Sequence, residues 1–189
     1  MTAQNRGSSS SKRPEQGFSL IEVMISIVVL TIGLVALLAV FGVAIASTQA
    51  SQEDLVAKQL ASEAMENIFT ARDTDQVDPV LGRPIEWDDL QNAPDGIFVS
   101  GQQPINQPGG DGIIGTADDS PARTLDIADP DGVIRGKTQP LTNFKRSITL
   151  TDVPGSGTVR SITIVITYST ARSPIPKTYT LSGYISQYR

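Results

Sequence analysis

Gly17-Phe18-Ser19-Leu20-Ile21-Glu22 stands at the head of an apolar run, and Ile25–Ala46 within that run reads Ile-Ser-Ile-Val-Val-Leu-Thr-Ile-Gly-Leu-Val-Ala-Leu-Leu-Ala-Val-Phe-Gly-Val-Ala-Ile-Ala. No charge occurs from Val23 to Gln52. A bilayer core needs about 20 such residues in a helix. Arg6, Lys12 and Arg13 precede the run, against Glu15. Basic residues on that side place the N-terminus in the cytoplasm and the rest of the chain outside. Three readings are open on length and charge. One is a cleaved secretory signal, with Ala44-Ile45-Ala46 as a small-x-small site, although the run is far longer than the roughly 7–15 residues of a signal core. The second is a plain membrane anchor for a soluble enzyme. The third turns on Glu22, because a carboxylate at the head of a spanning helix is costly unless it stays wet at the interface or meets a partner.

Working back to the N-terminus, the order glycine, phenylalanine and then glutamate four residues on, behind a basic leader and ahead of an unbroken apolar run, resembles the class III signal of type IV pilins and type II secretion pseudopilins. Val29-Leu30-Thr31-Ile32-Gly33-Leu34-Val35-Ala36-Leu37 is similar to the PilV-type minor pilins. The resemblance covers about residues 12–70. It implies a prepilin peptidase that cuts after Gly17 and methylates the new amine of Phe18, leaving Glu22 as the fifth mature residue. Glu22 of one subunit would then meet that amine on a neighbour. A buried carboxylate is tolerated when paired, and the pair would fix axial register between otherwise slippery apolar helices. The partners implied are prepilin peptidase, other major and minor pilins, and the inner-membrane assembly platform. The location implied is the bacterial inner membrane as a single pass, then an extracellular pilus or a periplasmic pseudopilus. The function implied is a minor pilin that aids pilus initiation or biogenesis, with a secretion pseudopilin as the alternative. Residues 1–17 are the leader on this reading.

Working outward to the C-terminal side, the helical pattern continues past Ala46. Val56, Ala57, Leu60, Ala61, Ala64, Met65 and Ile68 recur at helical spacing, with Glu53, Asp54, Lys58, Glu63 and Glu66 on much of the other face. A helix from Phe18 to about Arg72 would be about 80 Å long at 1.5 Å per residue. It divides into an apolar segment, 18–46, and an amphipathic one, 47–72. Gly33 and Gly42 inside it suit close helix packing in lipid, or a segment able to soften in a filament.

From Asp73 to Pro140 the chain is rich in Gly, Pro, Asp, Asn and Gln, which reads as loops with short strands at Gly96–Ser100 and Thr124–Ala128. From Leu141 the pattern alternates. Phe144, Arg146, Ile148 and Leu150 share one face, and Ile162, Ile164, Ile166 and Tyr168 share another, with Tyr179, Leu181 and Ile185 following. Pro154-Gly155-Ser156-Gly157 and Ser173–Pro176 read as turns. The expectation is an antiparallel meander whose apolar face covers the stripe of the helix, an α+β fold with a small sheet head. Many pilins close this region with a disulfide, and a chain without cysteine cannot.

Composition narrows the chemistry. The chain has 189 residues, 39% of them hydrophobic and 5% aromatic, with a formal net charge of −5. General nucleic-acid binding needs clustered Lys and Arg, and this chain has no such cluster. There is no cysteine and no histidine, which removes thiolate nucleophiles, the commonest general base and the commonest transition-metal ligand. Glu86, Asp88 and Asp89 around Trp87 are the only group that tempts a membrane-anchored hydrolase reading, since paired carboxylates can work without histidine. Such a cluster is more often a polar loop with one aromatic anchor, and the hydrolase stays a remote alternative. The loop Gly109–Asp119 offers Asp111, Asp118 and Asp119 as oxygen ligands for Ca²⁺, which takes 6–8 oxygens, with Asp129 and Asp131 able to approach from the next loop. Its spacing is not that of an EF-hand. The competing reading is a solvated turn stapled by Asx hydrogen bonds.

Overall fold

The computed structural model describes residue 17, residues 19–73, 77–78, 81–128, 132–170 and 173–188. Its elements are helix α1 (Leu20–Asp73), strands β1 (Val77–Asp78), β2 (Arg83–Pro84), β3 (Gln103–Pro104), β4 (Thr124–Ala128), β5 (Ile134–Pro140), β6 (Phe144–Val153), β7 (Ser156–Thr170) and β8 (Ser173–Ser186), and a 3₁₀ turn at Trp87–Asp89. The chain divides into two units, one ending at Ile45 and the other running from Ala46 to Arg189.

The first unit is the apolar part of α1. Its large apolar side chains stand exposed, from 47% at Val23 to 79% at Leu20. Among the described residues this is the one helix long and apolar enough to cross a membrane. Ser26 Oγ donates to the Glu22 carbonyl at 2.7 Å and Thr31 Oγ1 to the Ile27 carbonyl at 2.7 Å. Both hydroxyls are therefore satisfied within the helix, as lipid demands. A helix apolar all round, with no polar face, belongs in lipid or in a bundle of like helices.

The second unit is built on the striped part of α1. Ala57, Leu60, Ala61, Ala64, Ile68 and Ala71 are buried. They meet one face of a four-stranded antiparallel sheet in the order β3-β6-β7-β8. The helix side of this contact is mostly alanine. On the sheet side Phe144, Ile148 and Leu150 of β6 and Ile162, Ile164, Ile166 and Tyr168 of β7 are buried, with Ile185 of β8. Their outward neighbours Lys145, Thr149 and Thr151 are exposed, so the period-2 pattern and the burial coincide. Phe144 pairs with Tyr168 in register, and their rings stack at 5.4 Å. The Tyr168 hydroxyl donates to Asp54 Oδ1 at 2.7 Å, tying the sheet to the helix.

Pro154-Gly155 makes the two-residue link between β6 and β7, with φ of +83° at Gly155, a conformation open to glycine at little cost. Two expectations need correction. Ser173–Pro176 is not a turn: β8 starts at Ser173, and the Pro-rich stretch forms the first part of an edge strand, where proline's missing amide costs least. Gly96–Ser100 is not a strand: Phe98 makes only an isolated bridge with Asn92. Its aromatic ring is fully buried, so tertiary burial, not strand pairing, explains the apolar residues there. Thr124–Ala128 is a strand, paired with β5.

Candidate functional site

Three groups of residues carry the chemistry expected of this chain. The first is the head of α1. Gly17 is exposed and outside the helix. Phe18 lies outside the described residues. The Ser19 carbonyl accepts the amides of Glu22 at 3.0 Å and Val23 at 3.2 Å, which begins the helical ladder. Ser19 thus stands at the entry to the helix, and Glu22 falls in the first turn, where the unpaired amides and the helix dipole favour a negative charge. The Glu22 carboxylate has no hydrogen bond or ion pair within the chain among the described residues. The hydroxyls of the apolar helix are internally satisfied, so Glu22 is the polar side chain there that still requires water or another molecule.

The second group is the acidic glycine loop. Asp111 is buried, and its Oδ1 accepts the Ile113 amide at 2.8 Å. Asp118 Oδ2 accepts the Gly110 amide at 2.8 Å, and Oδ1 accepts Thr116 Oγ1 at 2.8 Å. Asp119 Oδ2 accepts the Gly115 amide at 2.7 Å and lies 3.4 Å from Arg146 Nη2. Asn67 of α1 clamps the same loop, donating to the Gly112 carbonyl at 3.2 Å and accepting the Ile114 amide at 2.7 Å. A Cβ at Gly109 would overlap the Asp118 carboxylate, so only glycine lets the chain pass there.

Burial pushes the Asp119 carboxyl upward, and the Gly115 amide and the Arg146 guanidinium offset this only in part. Burial also works on Asp118, but the Thr116 hydroxyl and the Gly110 amide outweigh it and hold that carboxyl low. The structure therefore brings Asp111, Asp118 and Asp119 into one loop, with each carboxylate committed to the loop's own amides. Among the described residues no three acidic side chains form a group that could hold a metal ion. Asp129 and Asp131 lie outside the described residues. A cleft of about 280 Å³ beside this loop is lined by Asp89, Pro94, Asp95, Asp111 and Asp118.

The third group is Glu86, Asp88 and Asp89. Arg83 grips Asp89 with two hydrogen bonds, at 2.7 and 2.8 Å, and Asp89 also accepts the Glu86 amide at 2.8 Å. The Arg83 contact holds the Asp89 carboxyl below the usual range, the opposite of what a general acid needs. Trp87 lies under the Arg160 guanidinium at 4.5 Å, and Arg160 donates to the carbonyls of Trp87 and Leu90 and to Asp152. This is an anchored polar loop.

Sequence reading had no signal for the work of Arg160, which is buried on β7 and spans from the sheet to the 3₁₀ turn. Arg146, by contrast, stood on the inward face by parity, and its partner Asp119 was visible only as an acidic residue.

The comparisons bear on the first group. Residues 12–38 match the family model described as "Prokaryotic N-terminal methylation motif". No curated protein matches the chain, and no solved structure matches it. The motif marks the N-terminus as a pilin-like processing segment. It implies cutting by a prepilin peptidase and assembly with other pilins, and it fits a single-pass membrane anchor.

Proposed function

We propose that this chain is a non-catalytic, minor pilin-like subunit of a type IV filament. Prepilin peptidase cuts it after Gly17 and methylates the Phe18 amine. The mature chain waits in the inner membrane, with its head outside, until the assembly platform adds it to the filament beside other pilins. There the apolar part of α1 packs among like helices, and Glu22 meets the Phe18 amine of a neighbour.

The observation that carries this reading is the state of Glu22. It sits at the head of the apolar part of α1, whose exposed side chains need a like environment, and unlike Ser26 and Thr31 it has no internal partner among the described residues. A charge in that position needs a counter-charge supplied from outside, and a freshly cut amine four residues before it in a neighbour has the right sign.

The test is the fraction of the subunit recovered in sheared filaments. Glu22→Ala is expected to lose most of that fraction while the level in the membrane stays unchanged, and Glu22→Asp to lose less. Filament levels of Glu22→Ala equal to wild type would remove the proposal.

The acidic glycine loop is a self-stapled turn that helps hold together a head that has no cysteine for a disulfide. A calcium ion would have to take Asp118 from Gly110 and Thr116. The melting temperature is expected to be the same in calcium and in chelator. A rise of several degrees with calcium would instead assign the ion to Asp111, Asp118 and Asp119.

A further inference from the structure

Two neighbouring carboxylates of α1 are placed differently in the head. Asp54 accepts the Tyr168 hydroxyl at 2.7 Å and lies 3.3 Å from Lys177 Nζ. Glu53 has no such partner. Its Oε2 is buried and accepts no hydrogen bond among the described residues. A carboxylate oxygen taken out of water without a donor is costly, and the cost is offset when a cation meets it.

This oxygen is not locked in packed core. Glu53 lines a cavity of about 320 Å³, formed by α1 together with Leu125 of β4, Gln139 of β5 and the start of β6. That volume is at the lower end of small-ligand sites, about 300–1,000 Å³. Exposed Gln49, Gln52 and Gln139 stand at its rim. Its inner wall is apolar, with Leu141 and Phe144 buried and Val56 of α1 half-buried. No cationic side chain lines it among the described residues.

The walls select among cations. Ca²⁺ takes 6–8 oxygen ligands, and an apolar wall supplies none. A guanidinium fork is matched by both oxygens of a carboxylate, whereas Oε2 alone is the buried, unpartnered oxygen of Glu53. The ammonium of an ethanolamine lipid brings a phosphate two carbons away, a second negative charge beside Glu53. An ammonium on a four-carbon aliphatic stem suits every wall. Its methylenes lie against Val56, Leu141 and Phe144, its charge meets Oε2, and the glutamine carbonyls at the rim are acceptors for its remaining N–H groups.

We propose that this cavity receives the lysine side chain of a neighbouring subunit, with the ammonium on Glu53. The site belongs to the head alone, and only the neighbour rests on the filament reading.

The probe is n-butylammonium, which is the lysine side chain without its backbone, added to the full chain in detergent micelles at constant ionic strength. It is expected to shift the side-chain amide NMR signals of Gln49, Gln52 and Gln139 to saturation, as 1-butanol and sodium do not. Glu53→Gln is expected to weaken that binding several-fold without lowering the melting temperature, since no partner within the chain is lost. Glu66→Gln, at an exposed carboxylate of the same helix, is expected to leave it unchanged. In sheared filaments a carbodiimide, which condenses a carboxylate with an amine in contact, is expected to form an amide between Glu53 and a lysine of a neighbouring subunit. Shifts that never saturate, or that survive Glu53→Gln, overturn the site and leave water as its occupant, whatever Glu22→Ala does to the filament. A saturable site whose Glu53 forms no amide in filaments, or is joined to an ethanolamine lipid or to a lysine of its own chain such as Lys137 of β5, overturns the neighbour as its occupant.

Discussion

At Asp119 two requirements oppose each other. The carboxylate is needed to accept the Gly115 amide and to face the buried Arg146 guanidinium, yet burial disfavours its charge and its carboxyl is raised. Asp54 is the reverse case: the Tyr168 hydroxyl, followed by Lys177, stabilises its charged form and lowers its carboxyl. The signs of linkage follow. With a raised value, the folded state holds its proton more tightly than the unfolded state. The contribution of Asp119 is therefore present at acid pH and lost as pH rises from about 4. With a lowered value, Asp54 contributes at neutral pH, and that contribution is lost as pH falls through its folded value, below about 4. Urea unfolding at pH 7 and pH 3 is expected to show opposite trends. Wild type should lose ground to Asp119→Asn on going from pH 3 to pH 7, and should gain ground on Asp54→Asn over the same interval. Gly109→Ala should cost about 1–3 kcal/mol, the scale of leaving polar groups of the loop unsatisfied once Asp118 is displaced. What was legible at this scale was residue type and parity: Arg146 fell on the inward face, and the aspartates clustered with glycines. The pairing of Asp119 with Arg146, from a loop to a strand 27 residues on, leaves no mark in local pattern.

Among the elements, α1 was the most legible, because its apolar run and its stripe both keep helical period and no proline interrupts them. The meander was legible for the same reason, with strict alternation in β6 and β7. The misread segments are those in which local chemistry has two outcomes. Ser173–Pro176 carries turn residues, but an edge strand tolerates proline wherever its amides face outward. Gly96–Ser100 carries apolar residues that serve the core from a loop. The stripe of α1 packs against the sheet, and Leu60 and Ile68 carry its largest buried side chains. Leu60→Ala is expected to destabilise the head by about 2–5 kcal/mol, measured by denaturant unfolding, from lost burial and the cavity left behind. The same substitution at Leu34, in the exposed apolar part of α1, should leave the unfolding of the head unchanged.

For the whole molecule, the division of labour is between an apolar helix segment that needs like neighbours and a head that folds around its own core. The first is named by the short span Gly17–Glu22 and the run behind it. The second carries no motif, and the unpartnered Glu53 oxygen in its cavity emerges only once helix and strands are placed together. The account rests on the cut between Gly17 and Phe18, since that cut creates the amine that gives Glu22 a partner. The most direct test is the mass of the N-terminal peptide of the chain isolated from the cell that produces it. The account predicts a peptide that begins at Phe18 and carries one N-methyl group, with residues 1–17 gone. A mature chain that begins at Met1, or at Ser47 after the Ala44-Ile45-Ala46 site, would contradict it.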